Sequence, residues 1–467
     1  MTQQHSVALH DNVARHRVWF LITIALGVLL NPLNSSMISV AMTRFQHVFQ
    51  VDYTSASWVI SSYYLASAIA QPIMGKLADL LGRKKLFLLG LVVVTAACLL
   101  APFSPNFAWL IVFRLLQSLG SGAIFPAGMG IVRQYITERQ SQALAFLAVF
   151  SSGAAAFGPS LGGIVMHISD WSGIFWINFP FIVASFVLAL WMLPSDKLAR
   201  QGQQPAAGPT DIKAVMNQMD IPGILLFAVG IVSALIFLLS LIAQVRWWAL
   251  PVAIVAFVLF GLREHRAKTP FLSFSLFKNN IPLSWVLIQF TVVNIIFYSV
   301  FFGMPSYLQE VRHDDTQQAG LLMLFIAGFS VITSPITGRW VAKSGSRPPL
   351  LLAGFCMTIG SALYLTLHAQ TPVWWLIIVL SVLGLSNGFN NVGLQTALFK
   401  VSPQNVISTA SGLFQMARYM GTILSTVLLG LLFGNQLSTG QLHLLGIILA
   451  LIGLCVITMS WRLPRRA

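Results

Sequence analysis

Long apolar segments, each separated from the next by a short polar loop, constrain this chain more than any other feature. A helix of about 20 apolar residues crosses the core of a lipid bilayer, and such segments recur from residue 18 to residue 461. Only 8% of the 467 residues are charged, and the mean hydropathy is +0.80. A soluble domain carries about 25% charged residues. The sequence therefore predicts an all-α polytopic membrane protein and excludes a soluble globular fold.

We predict fourteen transmembrane helices arranged as six, two and six. The first six lie at about 18–42, 56–75, 86–103, 108–133, 141–166 and 174–193. Two inserted helices lie at about 221–242 and 247–262. The last six lie at about 281–305, 318–337, 349–367, 373–394, 406–433 and 441–461. This predicts an N-terminal bundle at 1–195, cytoplasmic linkers with the inserted pair at 196–280, and a C-terminal bundle at 281–467.

The distribution of basic residues orients these spans. With a cytoplasmic N-terminus, 22 of the 27 Lys and Arg residues lie on the cytoplasmic side, as the positive-inside rule requires. Arg44, Arg246 and Arg312 face outside, and Arg114 and Arg418 lie within the membrane. Both termini are therefore predicted to be cytoplasmic. Thirteen spans would invert half of the loops, whereas twelve would keep the sign pattern but leave two apolar segments unused.

The net charge of +15 is accounted for by this topology, so nucleic acid is not an expected partner. The three cysteines fall inside apolar segments without metal-ligand spacing, so no disulfide or metal site is expected. No buried His, Asp or Cys constellation indicates catalysis, and we do not expect an enzyme.

A charged loop between spans two and three recurs 263 residues later. Residues 75–85 correspond to residues 338–347, with Gly75 matching Gly338. The copies are unequal, because Asp79 matches Ala342. Glycine permits a tight turn, and the Asp79 carboxylate can accept hydrogen bonds from Arg83 or from a helix N-terminus. A duplicated turn of this kind indicates two related halves, which is typical of secondary transporters.

Two arginines fall inside predicted spans. Arg114 shares a helix face with Gln117 and Ser118, and Arg418 shares one with Gln415 and Thr422. An arginine facing lipid at mid-bilayer costs about 2.5–3.5 kcal/mol or more, so both faces are expected to point at protein or water. Two such cations would make a cavity electropositive. That favours neutral, zwitterionic or anionic substrates, unless both arginines are instead tied structurally to carbonyl groups.

Small residues mark span five. They let two helices pack backbone to backbone, and a proline among them bends the helix. The predicted packing motif comprises Gly153, Gly158, Pro159, Gly162 and Gly163.

Uncharged polar side chains on inward faces are the candidates for substrate binding at mid-membrane. They are Asn31, Asn34, Tyr64, Gln71, Gln117, Gln289, Asn294, Tyr298, Asn387, Asn390, Asn391, Gln395 and Gln415. The asparagine cluster of span twelve is favoured among them. The alternative for any single amide is a helix–helix hydrogen bond.

None of the twelve acidic residues falls in the middle of a predicted span. Proton coupling usually employs a buried carboxylate, whose pKa is raised by desolvation. Asp79 and Glu310 are the only coupling candidates that the sequence offers.

These motifs together resemble the major facilitator superfamily, specifically its fourteen-helix drug:proton antiporter branch. The resemblance implies that Gly75, Asp79, Gly82, Arg83 and Lys84 form a cytoplasmic gating latch. It also implies a proton-coupling role for Arg114 and an antiporter signature in span five. Residues 33–41 resemble the first-helix motif of the family, but Asn34 stands where many members carry an aspartate.

The resemblance implies a monomeric exporter of amphipathic small molecules in a bacterial cytoplasmic membrane, driven by the proton gradient and without a cofactor. An uptake carrier or facilitator without proton coupling is the alternative. It is favoured by Asn34 and by the absence of a mid-membrane acid, and it is opposed by the glycine–proline pattern of span five.

Overall fold

The computed structural model describes residues 16–51, 53–196, 219–241, 244–267, 269–272, 277–314, 316–433 and 437–463. Within these ranges the regular structure is entirely helical, as the sequence predicts. Most of the first predicted linker, residues 197–218, lies outside the described residues.

The helices of the first part of the chain are α1 to α9. Their bounds are Arg17–Val28 (α1), Leu30–Ile38 (α2), Met42–Phe49 (α3), Tyr53–Leu81 (α4), Arg83–Leu100 (α5), Phe107–Tyr135 (α6), Gln140–Ser169 (α7), Gly173–Trp176 (α8) and Asn178–Met192 (α9).

The remaining helices are α10 to α17. Their bounds are Ile221–Ser240 (α10), Ala249–Arg266 (α11), Ile281–Glu310 (α12), Thr316–Ser344 (α13), Arg347–Ala362 (α14), Val373–Val401 (α15), Ile407–Phe433 (α16) and Thr439–Arg462 (α17). A short 3₁₀ turn, Gln404–Val406, precedes α16.

Every predicted span lies in a helical segment, and eleven segments of the described chain are long and apolar enough to cross a membrane. The other three predicted spans lie in α4, α7 and α11. Serines and tyrosines lower the apolar character of α4, and three of the last four residues of α11 are charged. The count of fourteen crossings, the six–two–six order and the cytoplasmic termini stay predictions.

The chain forms two compact units. The first contains Met1–Ile224 together with Ser402–Met416, and the second contains Leu225–Val401 together with Ala417–Ala467. The segment Ser402–Met416, which includes the first turns of α16, therefore packs with α1 to α9. The sequence predicts this segment in the C-terminal bundle, at 281–467.

Close helix contacts build each unit. In the first unit, a Cβ on Gly90 of α5 would lie 2.7 Å from the carbonyl oxygen of Gly120 in α6. In the second unit, a Cβ on Gly388 of α15 would lie 2.7 Å from the carbonyl oxygen of Ser330 in α13. Such contacts bring backbones together where small residues allow it, and they fix the polar side chains beside them.

Both copies of the duplicated loop contain a glycine with a positive φ angle. Gly82 has a φ of 115° and Gly345 has a φ of 78°, a conformation that favours glycine. The two loops thus join α4 to α5 and α13 to α14 by equivalent turns.

Candidate functional site

The carboxylate of Asp79 is buried near the end of α4, where it accepts hydrogen bonds from the start of α16. The backbone N–H and the hydroxyl of Thr409 both donate to Oδ2 at 2.9 Å, and the backbone N–H of Ser408 donates to Oδ1 at 3.3 Å. These N–H groups belong to the first turn of α16, where a helix has no internal acceptors for them. A carboxylate is the natural partner for such a helix end.

Arg83 completes this arrangement. Its Nη2 donates to Asp79 Oδ1 at 3.1 Å and to the Gln404 carbonyl at 2.8 Å. Its Nε donates to Ser408 Oγ at 3.2 Å, and its Nη1 donates to Gln134 Oε1 at 2.9 Å. The guanidinium therefore links α4, α6 and the segment 402–416. We call Asp79, Arg83, Ser408 and Thr409 the Asp79 catch.

Burial raises the pKa of Asp79, against the opposing effects of the Arg83 charge and the hydrogen bonds from Thr409 and Ser408. Asp79 lies beyond the predicted span 56–75. A conformation that raises the pKa of a carboxyl group binds the proton more tightly, so falling pH favours that conformation. Acidification is thus expected to favour the state in which segment 402–416 covers Asp79.

Glycines let segment 402–416 approach its neighbours this closely. A Cβ on Gly75 would overlap the backbone carbonyl oxygen of Ser408, and a Cβ on Gly412 would overlap that of Gln71. A Cβ on Gly130 would overlap the Ser408 hydroxyl. Gly75, which the sequence predicts to permit a tight turn, thus also lets α4 approach Ser408.

Gly82 and Lys84 contact a different part of the first unit. Asp196, which follows α9, accepts from the backbone N–H groups of Lys84 and Lys85 at 3.0 Å each, and a Cβ on Gly82 would lie 2.5 Å from its Cγ. Lys84 Nζ donates to the Leu190 carbonyl at 3.0 Å, at the C-terminal end of α9. Cations favour helix C-termini, so Lys84 bonds to α9 and not to segment 402–416.

Arg114 is completely buried in α6. Its Nε donates to the Val59 carbonyl at 3.2 Å, its Nη1 donates to Gln117 Oε1, and its Cζ lies 4.3 Å from the centre of the Tyr63 ring. Gln117 Nε2 in turn donates to Cys98 Sγ at 3.3 Å. These contacts fit the alternative in which the arginine is tied structurally to its own helix bundle. A carbonyl, an amide and an aromatic face all stabilise a fixed cation.

Arg418 of α16 lies in the second unit and is only partly buried. Its Nη2 donates to Asn391 Oδ1 at 3.3 Å, and its Cζ lies 5.4 Å from the centre of the Phe290 ring. Asn391 Nδ2 donates to Asn387 Oδ1, and Asn387 Nδ2 donates to Ser330 Oγ, both at 3.1 Å. The asparagine cluster predicted from span twelve thus adjoins the second intramembrane arginine.

Asn34, which the sequence predicts to line the substrate cavity, instead pairs with an amide of another helix. Its amide and that of Asn178 are both buried and exchange two hydrogen bonds, Asn34 Nδ2 to Asn178 Oδ1 at 3.0 Å and Asn178 Nδ2 to Asn34 Oδ1 at 2.9 Å. The remaining hydrogens reach nearby carbonyls, including that of Leu30. Paired amides of this kind hold helices together, so Asn34 joins α2 to α9.

Two other candidates also serve helix contacts. Gln289 of α12 is buried and donates to Ser460 Oγ of α17 at 2.7 Å. Asn294 donates to the Phe290 carbonyl of its own helix at 2.7 Å, and it packs against Gly421. Neither side chain is placed as a free substrate contact.

The other candidates differ in burial. Gln71 is buried with neither amide atom hydrogen-bonded within the described residues, and Gln415 and Asn390 are buried with unpaired amide oxygens there. Gln395 is buried as well. The side chains of Asn31, Tyr64, Tyr298 and Asn391 are partly buried.

Glu310 is exposed at the end of α12. Its coupling role stays a prediction. Glu264 of α11 is also buried, and its carboxylate accepts from the backbone N–H groups of Phe271 and Leu272 at 3.0 and 3.2 Å. These bonds anchor the loop that follows α11.

Two glycines of the predicted packing motif in α7 contact α2. A Cβ on Gly158 would overlap the Ser36 hydroxyl, and a Cβ on Gly162 would lie 3.1 Å from the Met37 carbonyl oxygen of α2. Around Gly153 and Gly163, no described atom lies within 4 Å of the Cβ position. The packing role of these two glycines stays a prediction. The side chain of Pro159 lies outside what the structure describes.

Gly158→Ala is expected to lower the melting temperature of the purified protein, because forcing a methyl group into a packed site costs about 1–3 kcal/mol. Gly163→Ala is the matched control. It should leave the melting temperature unchanged or raise it, since alanine favours a helix over glycine by about 1 kcal/mol. An equal loss in both variants would contradict the packing described for Gly158.

The search of the described residues for three or more His, Cys, Asp or Glu side chains that could hold a metal ion finds none.

A family model described as the Major Facilitator Superfamily matches residues 24–426. YwoD of Bacillus subtilis, an uncharacterized MFS-type transporter, is 44% identical over 448 residues, which are 96% of this chain and 97% of YwoD. The tetracenomycin C resistance and export protein of Streptomyces glaucescens is 27% identical over 438 residues, which are 90% of this chain and 77% of that protein.

Among solved structures, the human organic anion transporter MFSD10 (TETRAN) has a TM-score of 0.66 at 13% identity. The match covers 97% of this chain and 99% of that chain, and it supports the fold alone. Together with the family model and the similarity to YwoD along nearly the whole length, this shows that the chain is a multi-pass membrane transporter and belongs to the Major Facilitator Superfamily.

Proposed function

We propose that this transporter exports amphipathic small molecules, drugs or metabolites, across the bacterial cytoplasmic membrane in exchange for protons. The observation that carries the proposal is the Asp79 catch, a buried carboxylate held by the first turn of another helix. A set of hydrogen bonds of this kind can be made in one conformation and released in another. It suits a carrier that alternates between two states better than a static pore.

Asp79 is also our candidate for the coupling acid. Its pKa is raised while segment 402–416 covers it, and it would fall once the segment leaves and water solvates the carboxylate. The proton would therefore bind in the covered state and dissociate in the uncovered one. This is the cycle that an exchanger needs. Arg114 would support this cycle by fixing α4 through Val59.

The direction of transport is argued from two observations. The contact of Gly158 and Gly162 with α2 occurs in the segment that resembles the antiporter signature. One relative is named a resistance and export protein. For the substrate we favour neutral, zwitterionic or anionic molecules over cations, because Arg418 is a partly buried positive charge.

An uptake carrier or facilitator remains the second candidate. The observation that favours it is the Asn34–Asn178 pair, which places an amide that cannot titrate where many family members carry an acid. A facilitator would equilibrate its substrate and would not respond to a pH gradient.

Everted membrane vesicles distinguish the two. With an acidic lumen, we expect neutral, zwitterionic or anionic dyes to accumulate inside vesicles that contain the protein. The dyes should leak out when the pH gradient is collapsed. Vesicles without the protein are the control. Equilibration at the same rate with and without a gradient would instead support the facilitator.

A further inference from the structure

The two intramembrane arginines differ in how their charge is compensated. Arg114 is completely buried and is held by a carbonyl, an amide and an aromatic face. Arg418 is partly exposed, and its guanidinium donates to Asn391 at a long distance of 3.3 Å. Its Nε is buried and has no hydrogen-bond partner in the described part of the chain. The guanidinium of Arg114 is thus held by several partners, whereas that of Arg418 keeps an N–H donor without an acceptor among the described residues.

The charge of Arg418 has no counterion within the ranges that the structure describes. The ion pairs there are Arg44 with Asp170, Arg83 with Asp79, and Arg312 with Asp314. Arg418 thus carries its charge at a partly buried position without an acidic partner there. A buried cation without a partner is unfavourable, and an anion placed beside it would offset that cost.

The neighbouring amides hold the guanidinium in place. Asn391 turns its oxygen toward Arg418 because its nitrogen donates to Asn387, and the Asn387 nitrogen donates to Ser330. The Phe290 ring lies near the guanidinium, 5.4 Å from its Cζ. One corner of the guanidinium is thus fixed, while Nε is left without an acceptor. Guanidinium N–H groups match carboxylate and phosphate oxygens in geometry as well as charge.

We propose that Arg418, positioned by Asn391, binds the anionic group of the transported molecule, a carboxylate, sulfonate or phosphate. The inference rests on the proposed transport function and makes it more specific, since it assigns substrate recognition to the second unit. Arg114 belongs to the frame of the first unit and takes no part in anion recognition.

Two dyes with the same xanthene core test the assignment, the anionic carboxyfluorescein and the cationic rhodamine 6G. Their transport is measured in everted vesicles. We expect Arg418→Gln to lower carboxyfluorescein transport by about 10- to 100-fold, the range for losing a hydrogen bond to a charged group. Rhodamine 6G transport should be unchanged or higher. Arg418→Lys should restore part of the carboxyfluorescein transport, because the charge is kept and the planar geometry is lost.

Asn391→Asp provides an independent variant. It places a carboxylate against Arg418 with almost no change of shape, so an internal ion pair replaces the anion of the substrate. We expect carboxyfluorescein transport to fall as far as in Arg418→Gln, with rhodamine 6G transport retained. Lys278→Gln, which removes an exposed cation of the same charge, is the control and should change neither dye.

The outcomes separate this inference from the proposed function. If both dyes are exported and Arg418→Gln lowers them equally, or lowers neither, the anion subsite is wrong and the exporter proposal stands. If the unsubstituted protein exports rhodamine 6G but not carboxyfluorescein, the anion subsite is again wrong and the exporter proposal stands. If neither dye moves, both the exporter proposal and the subsite are contradicted.

Discussion

Gly412→Ala is expected to abolish most of the transport activity while the protein still folds. The added Cβ would overlap the Gln71 carbonyl oxygen and lie 2.9 Å from the Pro72 Cα, so the backbones of α4 and segment 402–416 must separate. Overpacking of this kind costs about 1–3 kcal/mol, which corresponds to roughly 5- to 150-fold in a two-state equilibrium. The separation pulls Ser408 and Thr409 away from Asp79.

The measurement combines dye transport with cysteine labelling. An Ala410→Cys probe, in a protein without its three native cysteines, reports on segment 402–416 because Ala410 is fully buried. We expect Gly412→Ala to speed labelling of the probe and to slow transport. Gly153→Ala is the matched control, since no described atom lies within 4 Å of its Cβ position. Normal transport by Gly412→Ala with slow labelling would contradict the close approach of the two backbones.

Asp79→Asn is expected to remove the response to pH. The amide keeps one oxygen to accept from α16 but carries no charge, and hydrogen bonds to charged groups are worth about 1.5–3 kcal/mol against about 1 kcal/mol for neutral ones. Transport should fall by more than about 10-fold. In the unsubstituted protein, acidification should slow labelling of the Ala410→Cys probe by more than the fall in its thiolate fraction accounts for, because the covered state has the raised pKa of Asp79.

In Asp79→Asn the labelling rate should change with pH only as far as the thiolate fraction of the probe does. Glu310→Gln controls for the loss of a carboxylate elsewhere, since Glu310 is exposed, and it should keep both transport and the pH response. A pH response that survives in Asp79→Asn would show that another group binds the proton.

The local chemistry of the catch could be predicted from the sequence, but its partner could not. A carboxylate at the end of one helix, with an arginine four residues later, indicates an acceptor for a helix N-terminus. The helix that supplies this N-terminus begins 328 residues after Asp79, and residues 402–416 carry no charge pattern that would identify it. The close approaches at Gly75 and Gly130, and at Gly412 within the segment itself, allow the segment to reach Asp79.

Amides were the least predictable residues. The same inward helix face holds Asn34, which is paired with Asn178, and Asn31, which remains partly exposed. Helical spacing indicates which way a side chain points, but it does not show whether the next helix carries a matching amide. Asn178 was visible in the segment that opens span six, yet nothing in the sequence aligned it with Asn34. The contact of Asp196 with the N-terminus of α5 was not predicted either, because the sequence does not show which helix ends lie together.

The central claim is that substrate export is coupled to protons through Asp79. Its most direct test is the movement of protons evoked by substrate in proteoliposomes, measured with a pH-sensitive dye in the lumen. The account predicts that carboxyfluorescein added to the unsubstituted protein moves protons in the opposite direction to the dye, and that Asp79→Asn moves none. Dye transport without proton movement in the unsubstituted protein would contradict the account.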